Sequence, residues 1–293
     1  MPGHIAAFFT ISVWAITFIS TKVLMVHFTP VEILFYRLIL AVFALSIVSP
    51  PRLAWPRLDR DLLRNEWKVM AAGVCGVTLY FLFQNIALSY TLAANASVLI
   101  SAAPLFTALL SRSFLKEKLK ANVFLGFATA MAGIILITFN GSSVLKLNPL
   151  GDFLSILAAV VWGFYCVLIK KINSPAGGIL AMTRKVVSYG LLFLLPVLPL
   201  FDFRLGLERL AVVPDLLNLI FLGVGASALC FVTWNFAVQL LGPVRTSAYI
   251  YIVPVIAIIT SVLILHETVT LIAIAGSVMI LAGMAFSEWE KAN

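Results

Sequence analysis

Long apolar runs, separated by short polar connections, make up most of the chain. A helix of about 20 apolar residues crosses the hydrocarbon layer of a membrane, and each run approaches that length. Proline-containing pairs such as Thr29-Pro30 and Gly242-Pro243 lie between the runs, where helices start or stop. The pattern predicts ten transmembrane helices, over residues 4–26, 31–49, 68–89, 92–114, 120–139, 150–171, 177–200, 213–239, 243–265 and 269–288.

The second half of this pattern repeats the first. A shift of 150 positions aligns residues 73–133 with 223–283 without a gap, and a shift of 148 aligns Trp14 with Trp162. We expect two five-helix repeats, residues 1–146 and 147–293, in one integrated membrane domain. Because five is odd, the copies must cross the membrane in opposite directions, as in many secondary transporters. The predicted fold class is an all-α membrane protein with ten transmembrane helices in two inverted repeats.

Composition excludes a soluble protein. Hydrophobic residues make up 62% of the chain and charged residues only 11%, against about 25% charged in soluble domains. The three cysteines all fall inside predicted helices, where we expect free thiols and not disulfides. No cofactor or metal is expected, because no ligand cluster or catalytic motif is visible in the sequence.

The basic residues predict the orientation. With the N-terminus in the cytoplasm, the inner loops and C-terminus receive 13 Lys and Arg residues and the outer loops three. This bias follows the positive-inside rule and explains the net charge of +8 without a nucleic-acid partner. We expect a multi-pass protein of a bacterial inner membrane with both termini cytoplasmic.

Charged residues within the spans are few. Every acid lies in a loop or near a helix end, so no proton relay is visible at mid-depth. Four cations remain inside the spans: Lys22, Arg37, Arg184 and Lys185. Lys22 is expected to extend to the membrane surface. For Arg37 and Arg184 we expect a structural role, with helix-end carbonyls or a neighbouring acid such as Glu32 as partners.

Two prolines lie near the middle of their spans. Pro104 and Pro254 occupy equivalent places in helices 4 and 9, and each should kink its helix and free a carbonyl at mid-depth. Freed carbonyls at that depth are tolerated only against protein or a wet cavity. We therefore expect Pro104 and Pro254 to act as hinges beside a central cavity. The serines that precede them could line that cavity or only permit close helix packing.

Polar and aromatic side chains within the spans are the candidate cargo ligands. The repeated amides Asn85 and Asn235 should face inward, where they either bridge helices or contact cargo. Mid-membrane Trp and Tyr combine apolar rings with polar tips, which suits neutral or aromatic small molecules, although lipid-facing packing is the alternative. The candidate binding residues are Trp14, Tyr80, Gln84, Asn85, Asn95, Ser97, Ser101, Trp162, Tyr165, Trp234, Asn235, Ser247, Tyr249 and Tyr251.

Glycines on helices 5 and 10 indicate a different role. Gly126 and Gly133 lie seven residues apart, as do Gly276 and Gly283, so each pair marks one helix face. Small residues on a face permit tight helix contact. We expect helices 5 and 10 to form a scaffold or a dimer surface, and the chain to be a monomer or a weak dimer.

The pattern resembles a known superfamily. The two five-helix copies, the helix-4 and helix-9 prolines, and the endings Leu115-Lys116-Glu117 and Leu265-His266-Glu267 are similar to the EamA-type branch of the drug/metabolite transporter superfamily. The chain looks most like YddG-type exporters of aromatic and other neutral amino acids. The resemblance implies a central cavity lined mainly by helices 1, 3, 4, 6, 8 and 9.

The leading hypothesis is an inner-membrane exporter of aromatic and other neutral amino acids, or similar small metabolites, that works by alternating access. Because no acid is buried, facilitated diffusion is favoured over proton coupling. A carrier of the same fold for other metabolites or drugs, possibly proton-coupled, is the first alternative. A membrane enzyme or a non-transport subunit is the second.

Overall fold

The computed structural model describes residues 1–49, 60–90, 96, 99–119, 121–139, 148–172, 178–201, 203–253, 255–256 and 271–288. All regular structure within these residues is helical. The first repeat contributes α1 (Pro2–Leu24), α2 (Pro30–Val48), α3 (residues 60–90), α4 (Ala103–Leu115) and α5 (Ala121–Phe139). The second contributes α6 (Pro149–Lys171), α7 (Gly178–Leu194, continued by a 3₁₀ turn, Leu195–Leu200), α8 (Val213–Leu241), α9 (Pro243–Ala248) and α10 (Leu271–Glu288).

The helices agree with the prediction from hydropathy, and the fold is an all-α bundle of two inverted five-helix repeats. Among the described residues, five helices are long and apolar enough to cross a membrane. One difference from the predicted bounds is at α3, which begins at Arg60 and not at residue 68. Residues 60–67 are charged or polar at five of eight positions. An apolar-run criterion therefore excludes them, although they extend the helix beyond the apolar span.

Local sequence determines where α2 begins. Thr29 caps the helix: its hydroxyl accepts a hydrogen bond from the Glu32 backbone N–H, and the Glu32 carboxylate accepts one from the Thr29 N–H at 2.8 Å. Pro30 follows the cap, at a position where its missing N–H costs nothing. This capping box satisfies two backbone donors at the helix end.

The loop between α7 and α8 is fixed to this same helix end. The Arg209 guanidinium donates to both oxygens of Glu32, at 2.9 and 3.1 Å, and the Arg204 backbone N–H donates to the same carboxylate at 3.1 Å. Glu32 is 1% exposed, so its charge is neutralised by Arg209 in a buried setting. It is therefore not available as a partner for Arg37.

Helices α5 and α10 pack against each other along their glycine faces. A Cβ atom at Gly126 would lie 2.5 Å from the Gly283 carbonyl oxygen, and one at Gly133 would lie 2.5 Å from the Gly276 carbonyl oxygen. Both distances are far below van der Waals contact, so the backbones touch only because these side chains are absent. The scaffold role expected for these helices is confirmed. The glycine faces are buried between the repeats, which leaves them unable to form a dimer surface.

The two repeats also pack against each other through their second and third helices. Gly73 on α3 lies against Val186 and Tyr189 of α7, and Gly223 on α8 lies against Arg37 and Leu40 of α2. These contacts are equivalent, since Gly73 and Gly223 are related by the 150-residue shift. Each repeat therefore packs its third helix on the second helix of the other repeat, which makes the bundle one unit.

We expect Gly133→Val to destabilise the bundle. The added side chain must push α5 away from α10, and overpacking of this kind costs roughly 1–3 kcal/mol. The unfolding midpoint of the purified protein in detergent should fall. Ala128→Val, on the exposed side of the same helix, is the control and should leave the midpoint close to that of the parent. An unchanged midpoint for Gly133→Val would contradict the glycine contact.

Candidate functional site

A cavity of about 640 Å³, including the part that opens outward, is bordered by α1, α2, α3 and α6. Its other border is formed by residues within 100–103 and 250–253, on the fourth and ninth predicted helices. Five of the predicted binding residues line it: Trp14, Tyr80, Gln84, Ser101 and Trp162. The other lining residues that matter for its chemistry are Thr17, Arg37 and Phe81.

Aromatic rings form one wall of the cavity. Trp162 is the centre of this wall, with the Trp14 ring 5.3 Å away in an edge-to-face arrangement and the Tyr80 ring 4.7 Å away. Tyr165 and Trp234 lie behind it, at 4.9 and 5.6 Å from Trp162. Such clusters hold rings in fixed orientations and present flat apolar faces. Behind the wall, Tyr165 and Trp234 support the rings that face the cavity.

The place of Trp14 follows from a π-helical segment in α8. The Cys230 N–H donates to the Gly225 carbonyl, five residues back, and an ordinary α-helix begins at Cys230. The change of hydrogen-bond pattern skips one carbonyl, that of Ala226. The Trp14 indole N–H donates to this carbonyl at 2.9 Å. The freed backbone group therefore fixes the Trp14 ring in the cavity wall.

The other repeat has a π-helical segment at the equivalent place but uses it differently. Residues Val74–Leu79 of α3 are π-helical, and a Cβ atom at Gly76 would lie 2.2 Å from the Tyr165 ring. The ring therefore occupies the space that a side chain at Gly76 would take. Trp162 does not make the bond that Trp14 makes. Its indole nitrogen is buried and has no hydrogen-bond partner among the described residues.

A second polar atom of the cavity is also unpaired. The side-chain oxygen of Gln84 is buried and, within the described chain, accepts no hydrogen bond. Leaving a buried polar group without a partner costs about 1–3 kcal/mol. Trp162 thus has an unpaired donor and Gln84 an unpaired acceptor, and both side chains belong to residues that line the cavity.

Arg37 has other partners than those that the sequence predicts. Its Nε donates to the Ser227 hydroxyl at 2.8 Å, and its guanidinium carbon lies 4.0 Å from the centre of the Phe81 ring. The side chain is 1% exposed and belongs to the cavity wall. The expected pairing with Glu32 or a helix-end carbonyl is wrong for Arg37, because Arg209 occupies Glu32.

The other basic residues behave differently. Arg184 donates to the carbonyl of Ser49 at the end of α2, as expected of a structural cation. Lys185 forms an ion pair with Glu66 at 2.7 Å. Nothing is described of the Lys22 side chain. Arg37 therefore differs from Arg184 and Lys185 in having neither a carbonyl nor a carboxylate partner.

The break in the fourth predicted helix lies at the cavity. Ser101 and Ala102 form a turn, and a new helix begins at Ala103 with Pro104 in its first turn. Proline is favoured there because the first turn lacks N–H partners anyway. Pro104 therefore interrupts the helix as expected, and the interruption exposes Ser101 to the cavity. In the second repeat, a 3₁₀ turn at Tyr249–Ile252 replaces α-helix at the equivalent place.

Comparison with known proteins agrees with this architecture. A model of the EamA-like transporter family matches residues 1–139 and 149–288. The chain belongs to the EamA-like transporter family.

Relatives of this EamA-like chain are named transporters. An uncharacterized transporter of Archaeoglobus fulgidus is 29% identical over 290 residues, which cover 96% of this chain and 95% of the relative. A protein of Streptantibioticus cattleyicolor named "probable terminal-alkyne amino-acid exporter" is 28% identical and covers 94% and 89%. A crystal structure with 18% identity matches at a TM-score of 0.77 and covers 98% and 96%, which supports the fold.

Several predicted binding residues of the EamA-like bundle lie away from the cavity. Asn235 is fully buried and joins Tyr165 to Thr183, and Asn85 donates to the Pro30 carbonyl at 3.0 Å. The bridging alternative therefore describes both amides. Asn95, Ser97 and Pro254 are outside the described residues.

The remaining candidates are on the second proline helix. The Ser247 hydroxyl donates to the Val244 carbonyl, and the Tyr249 hydroxyl is 2.6 Å from His4. Tyr251 packs among α5 and α10 and lines a smaller pocket with Pro104. This helix faces the cavity instead through Ile250 and Val253.

The two tryptophans of the cavity should respond differently to replacement by phenylalanine. Trp14→Phe removes the donor from the Ala226 carbonyl and should cost about 1 kcal/mol or more of unfolding free energy. Trp162→Phe breaks no hydrogen bond of the described protein and serves as the matched control. Unfolding midpoints in detergent measure the difference. Equal losses for the two variants would contradict the role of the Ala226 carbonyl.

Proposed function

We propose that this transporter exports aromatic and other neutral amino acids from the cytoplasm across a bacterial inner membrane. The observation that supports this most is the cavity, which combines aromatic faces with one free donor, Trp162, and one free acceptor, Gln84. An amino acid has a side chain for such faces and polar groups for such atoms. The relative from Streptantibioticus cattleyicolor, named for amino-acid export, supports the same cargo class.

The proposed mechanism is alternating access with facilitated diffusion. Pro104 and Pro254 would be the hinges about which the halves of the bundle rock around the cavity. Of the lining residues that the structure describes, none is an acid or a histidine. A proton-coupled carrier of this kind usually has such a group within the membrane. A carrier for cationic drugs or polyamines would also be expected to have a carboxylate among the residues that line its cavity.

Counterflow in proteoliposomes tests the cargo class. Vesicles loaded with unlabelled amino acid should accumulate the labelled form, with phenylalanine and tryptophan among the active cargoes. Trp162→Ala and Ser101→Ala should reduce uptake, because both residues line the cavity. Ser113→Ala, on the exposed side of α4, is the control for Ser101→Ala. Absence of counterflow for every amino acid would contradict the cargo, and unchanged uptake by both cavity variants would contradict the site.

Uptake should not depend on a proton gradient. We expect the same initial rate of counterflow with an imposed pH gradient and after a protonophore has collapsed it. The lining residues that the structure describes include no acid or histidine that could exchange a proton with the lumen at each cycle. A rate that follows the gradient would instead indicate proton coupling.

A further inference from the structure

We infer that Arg37 binds a carboxylate group of the cargo, so that the cavity selects molecules with an anionic head and an apolar body. The inference rests on the proposed function for the identity of the cargo as an amino acid. It assigns the charge recognition to one residue, with Trp162 as a further donor and Gln84 as the acceptor for an ammonium group.

The charge of Arg37 is not neutralised within the described protein. Its partners are the neutral hydroxyl of Ser227 and the ring of Phe81. An arginine cannot give up its proton in a protein, so its charge persists at this depth. A desolvated cation over an aromatic face gains about 2 kcal/mol or more, whereas burial of an unpaired charge costs several kcal/mol. A bound anion would supply the missing compensation.

A purely structural role for Arg37 does not explain its position. The contacts of Gly223 with Arg37 and Leu40 correspond to those of Gly73 with Val186 and Tyr189. Val186 therefore occupies in the second repeat the place that Arg37 occupies in the first, and it is fully buried. The same helix packing is achieved there without a charge. At this place only the first repeat has a cation, and the Arg37 side chain lines the cavity.

The cavity walls favour an organic carboxylate over an inorganic anion. Guanidinium groups bind carboxylates through paired hydrogen bonds. In Arg37 only the Nε donates to Ser227. Phe81, Tyr80 and the two tryptophans present apolar faces that a hydrated inorganic anion would not contact favourably. For a zwitterion, the free oxygen of Gln84 can accept a hydrogen bond from the ammonium group.

Thermal unfolding of the purified full-length protein in detergent tests the inference, because a ligand of the folded state raises the midpoint. The probes are L-phenylalanine, phenylacetate, which lacks the amine, and L-phenylalaninamide, which lacks the carboxylate, in a carboxylate-free HEPES buffer of constant ionic strength. Both carboxylates should raise the midpoint. The amide should need about tenfold or more higher concentration for the same shift, since charge-assisted hydrogen bonds are lost.

Substitution of the residue provides the second arm. Arg37→Gln should remove the preference for carboxylates, and Arg37→Lys should retain part of it. Lys185→Gln is the control: it also removes one cation from a predicted span, but that cation is paired with Glu66 away from the cavity, so the preference should persist. If Arg37→Gln does not fold, the ligand series on the parent protein still decides.

The outcomes separate the two proposals. Binding of the amide as strongly as phenylalanine, failure of both carboxylates to bind, or an unchanged preference in folded Arg37→Gln would overturn the role of Arg37. Equal shifts with chloride or phosphate alone would also overturn it, in favour of a general anion site. Binding of phenylacetate without counterflow of any amino acid would support Arg37 and reject the proposed cargo. Equal counterflow of phenylalanine and its amide would support the proposed cargo class and reject the role of Arg37.

Discussion

The constraint on which the structure depends is that every backbone polar group inside the bilayer needs a partner within the protein. A continuous helix meets this constraint along its whole length. A break in a helix is therefore tolerated only where another group forms a hydrogen bond with the freed backbone N–H or carbonyl. In α8 the freed carbonyl of Ala226 is taken by Trp14. The break at Ser101 and Ala102 lies where the chain borders the cavity. Irregular backbone and binding site therefore occur together for one physical reason.

The repeat is the second organising feature, and its symmetric and asymmetric parts have different roles. Contacts that hold the bundle together are duplicated. Gly126 and Gly133 face Gly283 and Gly276, and the packing of Gly73 of α3 against α7 corresponds to that of Gly223 of α8 against α2. Contacts that border the cavity are not duplicated. The indole N–H of Trp14 is bonded and that of Trp162 is free, although the two residues are equivalent.

Much of the fold could be predicted because its determinants are local. Hydropathy identifies the spans, the odd number of helices gives the inverted orientation, and glycine spacing identifies the α5–α10 contact. The π-helical segments could not be predicted, since Val74–Leu79 has the composition of any apolar helix. Trp162 and Tyr165 share a helix face in the sequence, but only the gap at Gly76 in the opposite helix decides that Tyr165 lies behind the wall.

The partners of Arg37 could not be predicted for a related reason. A cation eight residues into a helix has the same sequence signature whether it binds Glu32 or faces a cavity, and the choice depends on a distant competitor. Arg209 lies 177 positions from Glu32 along the chain. Nothing near Glu32 in the sequence indicates that its carboxylate is already paired.

The proposed alternating-access mechanism requires asymmetry between the repeats. Two identical halves would present a cargo with a two-fold symmetric cavity, which suits no molecule that has one polar and one apolar end. Among the described residues that line the cavity, the unpaired polar atoms of Gln84 and Trp162 and the unneutralised Arg37 have no equivalents facing the same cavity. Gln84 corresponds to Trp234 and Ser101 to Tyr251 under the 150-residue shift, and neither of these borders the lumen. The duplicated glycines thus preserve the bundle while the unmatched side chains are free to specify the cargo.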